Sequence, residues 1–112
     1  MLAMLRNVPE TPDDWARFSF ANFDALNQIR GAILAQKNIQ LPEYPVEPIP
    51  FNDLDFWLIS NQQAHNDFNS VLGLNGMDLM HTDLRDPNQR EAWIYINFME
   101  VQAACQALGI GP

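Results

Sequence analysis

The sequence predicts an all-α fold: one small domain of three helices, with a proline-rich extended strap between the first and second helices. Two observations lead to this class. Apolar residues recur at helical spacing in three segments, and no pair of alternating segments indicates paired strands. The predicted helices cover residues 12–37, 53–72 and 87–108, a helix content well above the ordinary. The length of 112 residues suggests a single domain.

The first predicted helix opens at the stretch TPDDW. Thr11 is an N-cap candidate, and Pro12 suits the first helical position because the N–H that proline lacks has no partner there. An apolar stripe follows at helical spacing and carries the helix to about Lys37. The residues of this stripe are Trp15, Phe18, Leu26, Ile29 and Ile33.

The stretch NIQLPEYPVEPIP lies in the predicted strap, residues 38–51, and its prolines forbid a continuing helix. Pro42, Pro45 and Pro48 are three apart, so a polyproline helix would place them on one face. Two interpretations stay open. We favour a strap laid over the chain's own core; the alternative is a ligand for a proline-reading domain, with Pro45 and Pro48 in contact.

The second and third predicted helices share a pattern that repeats after 36 positions. The first copy reads FWLISNQQAHNDFNSVLGL and the second AWIYINFMEVQAACQALGI. We interpret the two as an internal repeat that folds as an α-hairpin, an antiparallel or pseudo-symmetric pair. The shared structural anchors are Trp57 with Trp93, Asn61 with Asn97, and Gly73 with Gly109.

Gly73 and Gly109 are predicted stop signals. Glycine adopts the left-handed backbone that ends a helix without steric cost, and the next residue then folds back over the last turn. Leu74 and Ile110 are placed to do this. At the other end of the third helix, Asp86 is an N-cap candidate in a sequence that resembles a capping box.

Asn61 and Asn97 each lie one turn after a tryptophan. We hypothesise that both are half-buried and hydrogen-bond the neighbouring backbone or each other, which would fix the register of the helices. The alternative is that both amides occupy exposed polar positions.

The charge balance limits the partners. The chain has 14 acidic and 6 basic residues, a formal net charge of −8, and no Lys or Arg lies between Asn38 and Leu84. Such a surface repels phosphate backbones, so we expect no direct sequence-specific nucleic-acid binding. It suits a basic protein surface, or serves only solubility.

Motifs for catalysis are missing from the sequence: it has no nucleophile elbow, glycine-rich phosphate loop or CxxC. We therefore predict a non-enzyme without cofactor or metal. His65 is a weak candidate ligand or base, since no second histidine lies at helical spacing; we interpret it as a core-edge or interface histidine. Asp78, His81 and Asp83 lie in a loop that fits no calcium site. Cys105 is predicted to be a small core residue.

Residues 1–10 begin with MLAML, which we interpret as an apolar arm ordered by a neighbouring subunit. The stretch lacks the features of a signal peptide, and no run approaches the length of a membrane span. We therefore expect a soluble protein made inside the cell that does not enter a membrane. Our interface candidates are Met1, Leu2, Met4, Leu5, Trp15, Phe18, Phe20, Phe23, Pro45, Pro48 and His65.

Residues 50–110, with their two Trp-to-Leu-Gly helices and the DLRD linker, resemble small proteins encoded among the structural genes of tailed bacteriophages. No catalytic residue comes with the resemblance. It implies a virion component made in the host cytoplasm that contacts other virion proteins and copies of itself, forming a homo-oligomer within the particle.

From this resemblance we expect a structural protein of the head–tail connector (neck), acting by multi-copy protein–protein assembly. A capsid-associated or tail-attached virion protein is the alternative. A further alternative, from another functional class, is a small helical adaptor that binds a host protein through the proline-rich strap.

Overall fold

The computed structural model describes residues 2–43, 54–79 and 81–111. A short 3-10 helix, Leu2–Arg6, precedes three α-helices, and the described residues contain no strand. The predicted all-α class with three helices is therefore confirmed. Most of the predicted strap, including Pro45 and Pro48, lies outside the described residues, so the strap stays a prediction. The helices are α1 (Pro12–Lys37), α2 (Leu54–Leu72) and α3 (Pro87–Leu108).

Local hydrogen bonds explain where α1 and α3 begin. The Thr11 hydroxyl accepts from the Asp14 N–H at 3.1 Å, and the Asp14 carboxylate accepts from the Thr11 N–H at 3.4 Å, which completes a capping box. Asp86 caps α3 by accepting from the Asn88 N–H at 3.0 Å. Each cap satisfies N–H groups that a first helical turn leaves without partners.

Glycine ends both α2 and α3. Gly73 and Gly109 have φ of 68° and 66°, in the left-handed region. The Leu74 N–H donates to the Asn69 carbonyl at 2.9 Å, and the Ile110 N–H donates to the Cys105 carbonyl at 3.0 Å. These are the six-to-one bonds of a Schellman ending, so each helix stops where its Leu-Gly pair stands.

The helices α2 and α3 run in the same direction. In an antiparallel pair, later residues of one helix would meet earlier residues of the other, but here the contacts advance along both helices together. The predicted antiparallel hairpin is therefore wrong, and the connection, residues 73–86, must return along the length of α2. The contacts that show this are Trp57 with Trp93, Asn61 with Asn97, and His65 with Glu100.

Helix α1 is parallel to the other two. Near the carboxyl ends, the Gln36 side chain donates to the Leu108 carbonyl at 2.6 Å. Near the amino ends, the Arg90 guanidinium donates to the carbonyl of Pro9, which precedes α1, at 3.4 Å. All three helices consequently begin at one end of the molecule and finish at the other.

An aromatic layer joins the three helices near their amino ends. Phe18, Trp57 and Trp93 come one from each helix, and their ring centroids lie 5.4 to 6.0 Å apart. Each of these side chains is at most 3% exposed. Large buried aromatic rings contribute much of the apolar area that a small domain hides from water, so this layer is a major part of the core.

The amino-terminal segment belongs to the chain's own fold. Residues Leu2–Arg6 pack against α1 and α3, and Leu5 is fully buried in the core. The Arg6 guanidinium lies 5.2 Å from the centre of the Phe98 ring. The expectation of an arm that awaits a neighbouring subunit is therefore wrong for Leu5, although Met4 remains 45% exposed.

Candidate functional site: two buried polar clusters between the helices

Three asparagines form a closed ring of hydrogen bonds in the core. Asn22 donates to Asn61 at 2.9 Å, Asn61 donates to Asn97 at 3.1 Å, and Asn97 donates back to Asn22 at 2.9 Å. All three side chains are completely buried. Every amide in this asparagine ring thus donates once and accepts once, and each helix contributes one member.

The ring differs from the sequence expectation in two ways. Asn61 and Asn97 were expected to be half-buried, yet neither has any exposed surface. Asn22 was missed altogether. Its signal was present, since Phe18 precedes Asn22 by four residues, the spacing that each tryptophan keeps from its asparagine in α2 and α3. A phenylalanine in place of tryptophan hid the pattern.

A second polar cluster surrounds the Glu100 carboxylate. This carboxylate accepts from the Asn69 amide at 3.0 Å and from the Met77 backbone N–H at 3.0 Å. It also lies 2.9 Å from Nδ1 of His65. Since an ionised carboxylate only accepts, Nδ1 must carry a hydrogen. Glu100 thereby links α2, α3 and the connection.

The pKa of Glu100 reflects two opposed effects. Burial raises the pKa, whereas the hydrogen bond from His65, the hydrogen bond from the Met77 N–H, the charge of His65 and the Asn69 amide all lower it. The lowering effects dominate, so the pKa of Glu100 falls below its ordinary value. The cluster therefore favours the ionised carboxylate in the folded protein.

His65 is a core residue. Its side chain has no exposed surface, and its ring centre lies 4.8 Å from that of Phe68. Among the described residues, its Nε2 atom has no hydrogen-bond partner. The interpretation as an interface histidine is therefore wrong, because no partner could reach the ring without opening the fold. The pair of His65 and Glu100 acts here as a fixed hydrogen-bonded contact between α2 and α3.

The connection is held against the helices by side chains. The Gln62 amide oxygen accepts from the Leu79 N–H at 2.5 Å, and its nitrogen donates to the Met77 carbonyl at 3.4 Å. The Trp93 indole N–H donates to the Leu79 carbonyl at 2.8 Å. Leu79 itself is 1% exposed. The backbone of residues 77–79 is thus fixed from both α2 and α3.

Gly76 lets the connection approach the second cluster closely. A Cβ atom at this position would lie 2.6 Å from the Asn69 amide nitrogen and 3.4 Å from the Glu100 carboxylate. The first of these distances is shorter than a Cβ atom adopts to another heavy atom, whereas the second is close to ordinary contact. A side chain at Gly76 would therefore displace Asn69 or lift the connection.

The remaining interface candidates divide between core and surface. Trp15 and Phe18 are 3% exposed and belong to the core, so their assignment to an interface is wrong. Phe20 is 58% exposed and Phe23 is half-buried. The side chains of Met1, Leu2, Pro45 and Pro48 lie outside the described residues.

An exposed apolar groove along α3 was not predicted. Tyr95, Met77 and Met99 are 62%, 59% and 44% exposed and contribute to its lining. The spacing of apolar residues does not predict this groove, because α3 carries apolar residues on both its buried and its outer faces. The exposed apolar residues can be told from the buried ones only when the packing of α3 against α1 and α2 is known.

The predicted core cysteine lies where expected, with Cys105 at 4% exposure. Burial raises the pKa of its thiol.

Among the described residues, no group of three or more His, Cys, Asp or Glu side chains could hold a metal ion. His81 contacts Asp78 at the surface. No described helix is long and apolar enough to cross a membrane. Comparison with known protein families, curated proteins and solved structures gives no match for this chain.

Proposed function

We propose that the chain is a non-enzymatic structural component of a tailed-phage virion, acting by multi-copy protein–protein assembly, with the head–tail connector as its first location. Its partners would be other virion proteins and further copies of itself. The resemblance of residues 50–110 to phage structural proteins motivates the virion, and the surface of the molecule supports assembly.

The observation that carries this proposal is the number of large apolar side chains left at the surface. Phe20, Phe56, Met77 and Tyr95 are each more than half exposed. Aromatic residues and methionine are enriched in protein interfaces, where a partner removes them from water. A small domain that leaves four such groups outside gains stability when a neighbour covers them.

The polar clusters support a structural role as well. The three asparagines of the ring hydrogen-bond to one another, and the Glu100 carboxylate accepts from three donors of the same chain. General acid–base catalysis needs a titratable group within hydrogen-bond reach of a substrate. The described polar groups of both clusters are instead turned towards one another, which is suited to fixing helices in place.

Self-association tests the proposal directly. Light scattering coupled to size exclusion at several concentrations should give a defined multimer for the natural chain. Phe20→Ser and Tyr95→Ser should each shift the mass towards the monomer, since each removes apolar area from a contact. Gln63→Ser, at an exposed polar position of α2, is the matched control and should leave the mass unchanged.

The location needs a measurement on particles. A tagged copy of the chain, supplied in cells that produce the phage, should co-purify with intact virions and cross-link to neck proteins. Cross-links to capsid or tail proteins alone would instead indicate a capsid-associated or tail-attached virion protein. A natural chain that stays monomeric at every concentration and never enters a particle would contradict the proposal, and cross-links to a host protein would favour the adaptor.

A further inference from the structure

Five residues of α3 form a stripe that the other described helices leave partly or fully open. Their spacing alternates between four and three positions, which is the repeat of a helix that packs lengthwise against another helix. Met99 is 44% exposed, Ala92 and Gln106 are exposed, and Ile96 and Ala103 are half-buried. This stripe, the outer seam, consists of Ala92, Ile96, Met99, Ala103 and Gln106.

The outer seam lies on a helix face without exposed charge. Glu100 is the only charged residue in 92–108, and its side chain is buried in the second polar cluster. By contrast, α1 exposes Asp24 and α2 exposes Asp55. Copies of a chain with a net charge of −8 repel one another, and a contact between uncharged faces adds no like-charged pair to that repulsion. Among the three helices, α3 therefore offers two copies the most favourable face for contact.

The order of side-chain sizes along the outer seam fits a second copy that runs in the opposite direction. An antiparallel contact centred on Met99 places Ala92 near Gln106 of the partner subunit. It also places Ile96 near Ala103 of the partner subunit, so that a small side chain meets a larger one at each of these levels. A parallel contact would place alanine against alanine at two levels and leave voids there.

Electrostatic interactions favour the same antiparallel order. The first turn of α3 has no acidic residue and the last turn has no basic residue. In an antiparallel pair the amino end of one α3 lies beside the carboxyl end of the other, so opposite partial charges are adjacent. The exposed Glu91 is also separated from Glu91 of the partner subunit by the length of about 16 helical residues, about 24 Å, whereas a parallel pair would bring the two carboxylates together.

A groove beside the outer seam gives a second helix further apolar contacts. It is lined by Met77 from the connection and by Tyr95, Ile96 and Met99 from α3, among others. Met77 and Tyr95 are 59% and 62% exposed. Methionine and aromatic side chains are enriched in protein interfaces, so a helix on the seam has suitable neighbours on its flank.

We infer that two copies pair through the outer seams of their α3 helices, antiparallel and related by a two-fold axis near Met99. The occupant of the seam is a second copy because the seam, when reversed, complements itself in side-chain size and in the direction of the helix dipole. A two-fold contact uses the same patch on both subunits. The inference rests on the proposed multi-copy function and supplies one contact for it, while Phe20 and Phe56 on the other helices stay available for further contacts.

Single cysteines test the position of the axis. In a Cys105→Ala background, Met99→Cys alone should form a disulfide-linked dimer, because the axis brings the two thiols together. Ala92→Cys alone should not, since its two copies would lie about 21 Å apart along the helices, but mixed with Gln106→Cys it should form a disulfide. Gln63→Cys, at an exposed position of α2, is the control for random collision.

A charge placed on the axis gives a second measurement. Met99→Glu brings two carboxylates together in the pair, so it should weaken self-association in analytical ultracentrifugation at least tenfold. Gln63→Glu adds the same charge on α2 and should change self-association less than twofold. Circular dichroism checks that both variants keep their helices, which is expected because both positions are exposed.

The outcomes separate this contact from the proposed function. If the natural chain assembles but Met99→Cys cross-links no faster than Gln63→Cys, the seam contact is overturned and the proposed function stands. A self-cross-link of Ala92→Cys would mean a parallel pair, and cross-links from Met99→Cys only to a different virion protein would give the seam another occupant; each overturns the inference alone. If the natural chain is monomeric at every concentration and never enters a particle, both proposals fall.

Discussion

A few buried polar side chains determine how the three helices of this molecule align. The asparagine ring places three amides in the core, where apolar side chains are usual, and all three are paired only when the three helices align at this level. A buried polar group that loses its partner costs more than an intact hydrogen bond contributes. We therefore interpret the ring as a device that selects one register of three helices.

Replacing one member of the ring should destabilise the fold. Asn61→Ala and Asn97→Ala each leave two buried amides without a full set of partners, so each should lower the free energy of unfolding by about 2–3 kcal/mol. Urea denaturation followed by tryptophan fluorescence measures this. Asn88→Ala, at an exposed position of α3, is the control and should stay within about 0.5 kcal/mol of the natural chain. Unchanged stability in both ring variants would disprove the register hypothesis.

Glu100 should make stability depend on acid pH. Because the pKa of Glu100 is lowered in the folded state, its contribution is complete at neutral pH and is lost as the pH falls below the ordinary value of 4.5. Glu100→Gln lacks this ionisation, so its stability should fall less steeply on acidification. Chemical denaturation between pH 7 and pH 3 tests this, with Glu91→Gln at an exposed position as control. Equal pH profiles for Glu100→Gln and the natural chain would contradict the assignment.

At the scale of the helices, the sequence predicts where a helix begins and ends, but it does not predict the relative direction of two helices. The bounds of α1 and α3 coincide with the predicted 12–37 and 87–108, because Thr11, Asp86 and Gly109 act on neighbouring residues only. The direction of α3 relative to α2 depends on the path of the connection. Nothing in its local sequence shows whether residues 73–86 turn sharply or return along α2, and the hairpin expectation failed there.

Replacing glycine by alanine should have opposite effects on stability at the helix ends and inside a helix. Gly73→Ala and Gly109→Ala force a side chain into left-handed backbone, so each should destabilise the protein by about 1 kcal/mol. Gly31→Ala is the matched comparison, since Gly31 lies inside α1 and a Cβ there would meet no atom within 4 Å. It should stabilise by about 0.5–1 kcal/mol. Thermal unfolding of the three variants checks this, and equal shifts of one sign would refute it.

The candidate sites were predictable only where the sequence repeats. Asn61 and Asn97 drew attention because they coincide when the two helices are aligned, whereas Gln62 and Glu100 have no such counterpart. Glu100 lies seven residues after Trp93, on the same side of α3, but no local pattern shows what a carboxylate at that position would bind. Its role depends on His65 and on the Met77 N–H, which the fold brings to it from 35 and 23 residues away.

At the scale of the whole molecule, the parallel arrangement can be measured as distances. Spin labels at residues 55 and 91, and at residues 70 and 106, would each join equivalent levels of α2 and α3, so both pairs should give short distances. Labels at residues 55 and 106 are offset along the helix axis by 15 helical residues, about 22 Å, so their distance should exceed this offset and the distance of both level pairs. The Cys105→Ala background prevents labelling of the natural thiol. A short distance between residues 55 and 106 would instead mean an antiparallel pair.

The common direction of the three helices also aligns their backbone dipoles. Each helix carries about half a positive charge at its amino end and half a negative charge at its carboxyl end, and parallel helices add these dipoles where antiparallel helices would cancel them. Aspartates at the starts of the helices offset the positive end, whereas Lys37 is the single basic residue in the last turns. The charged side chains at the two ends therefore oppose the summed dipole of the backbone. A neighbour that stacks along the common axis, with the amino ends of its helices against these carboxyl ends, would align its dipole with this one and be held in one orientation.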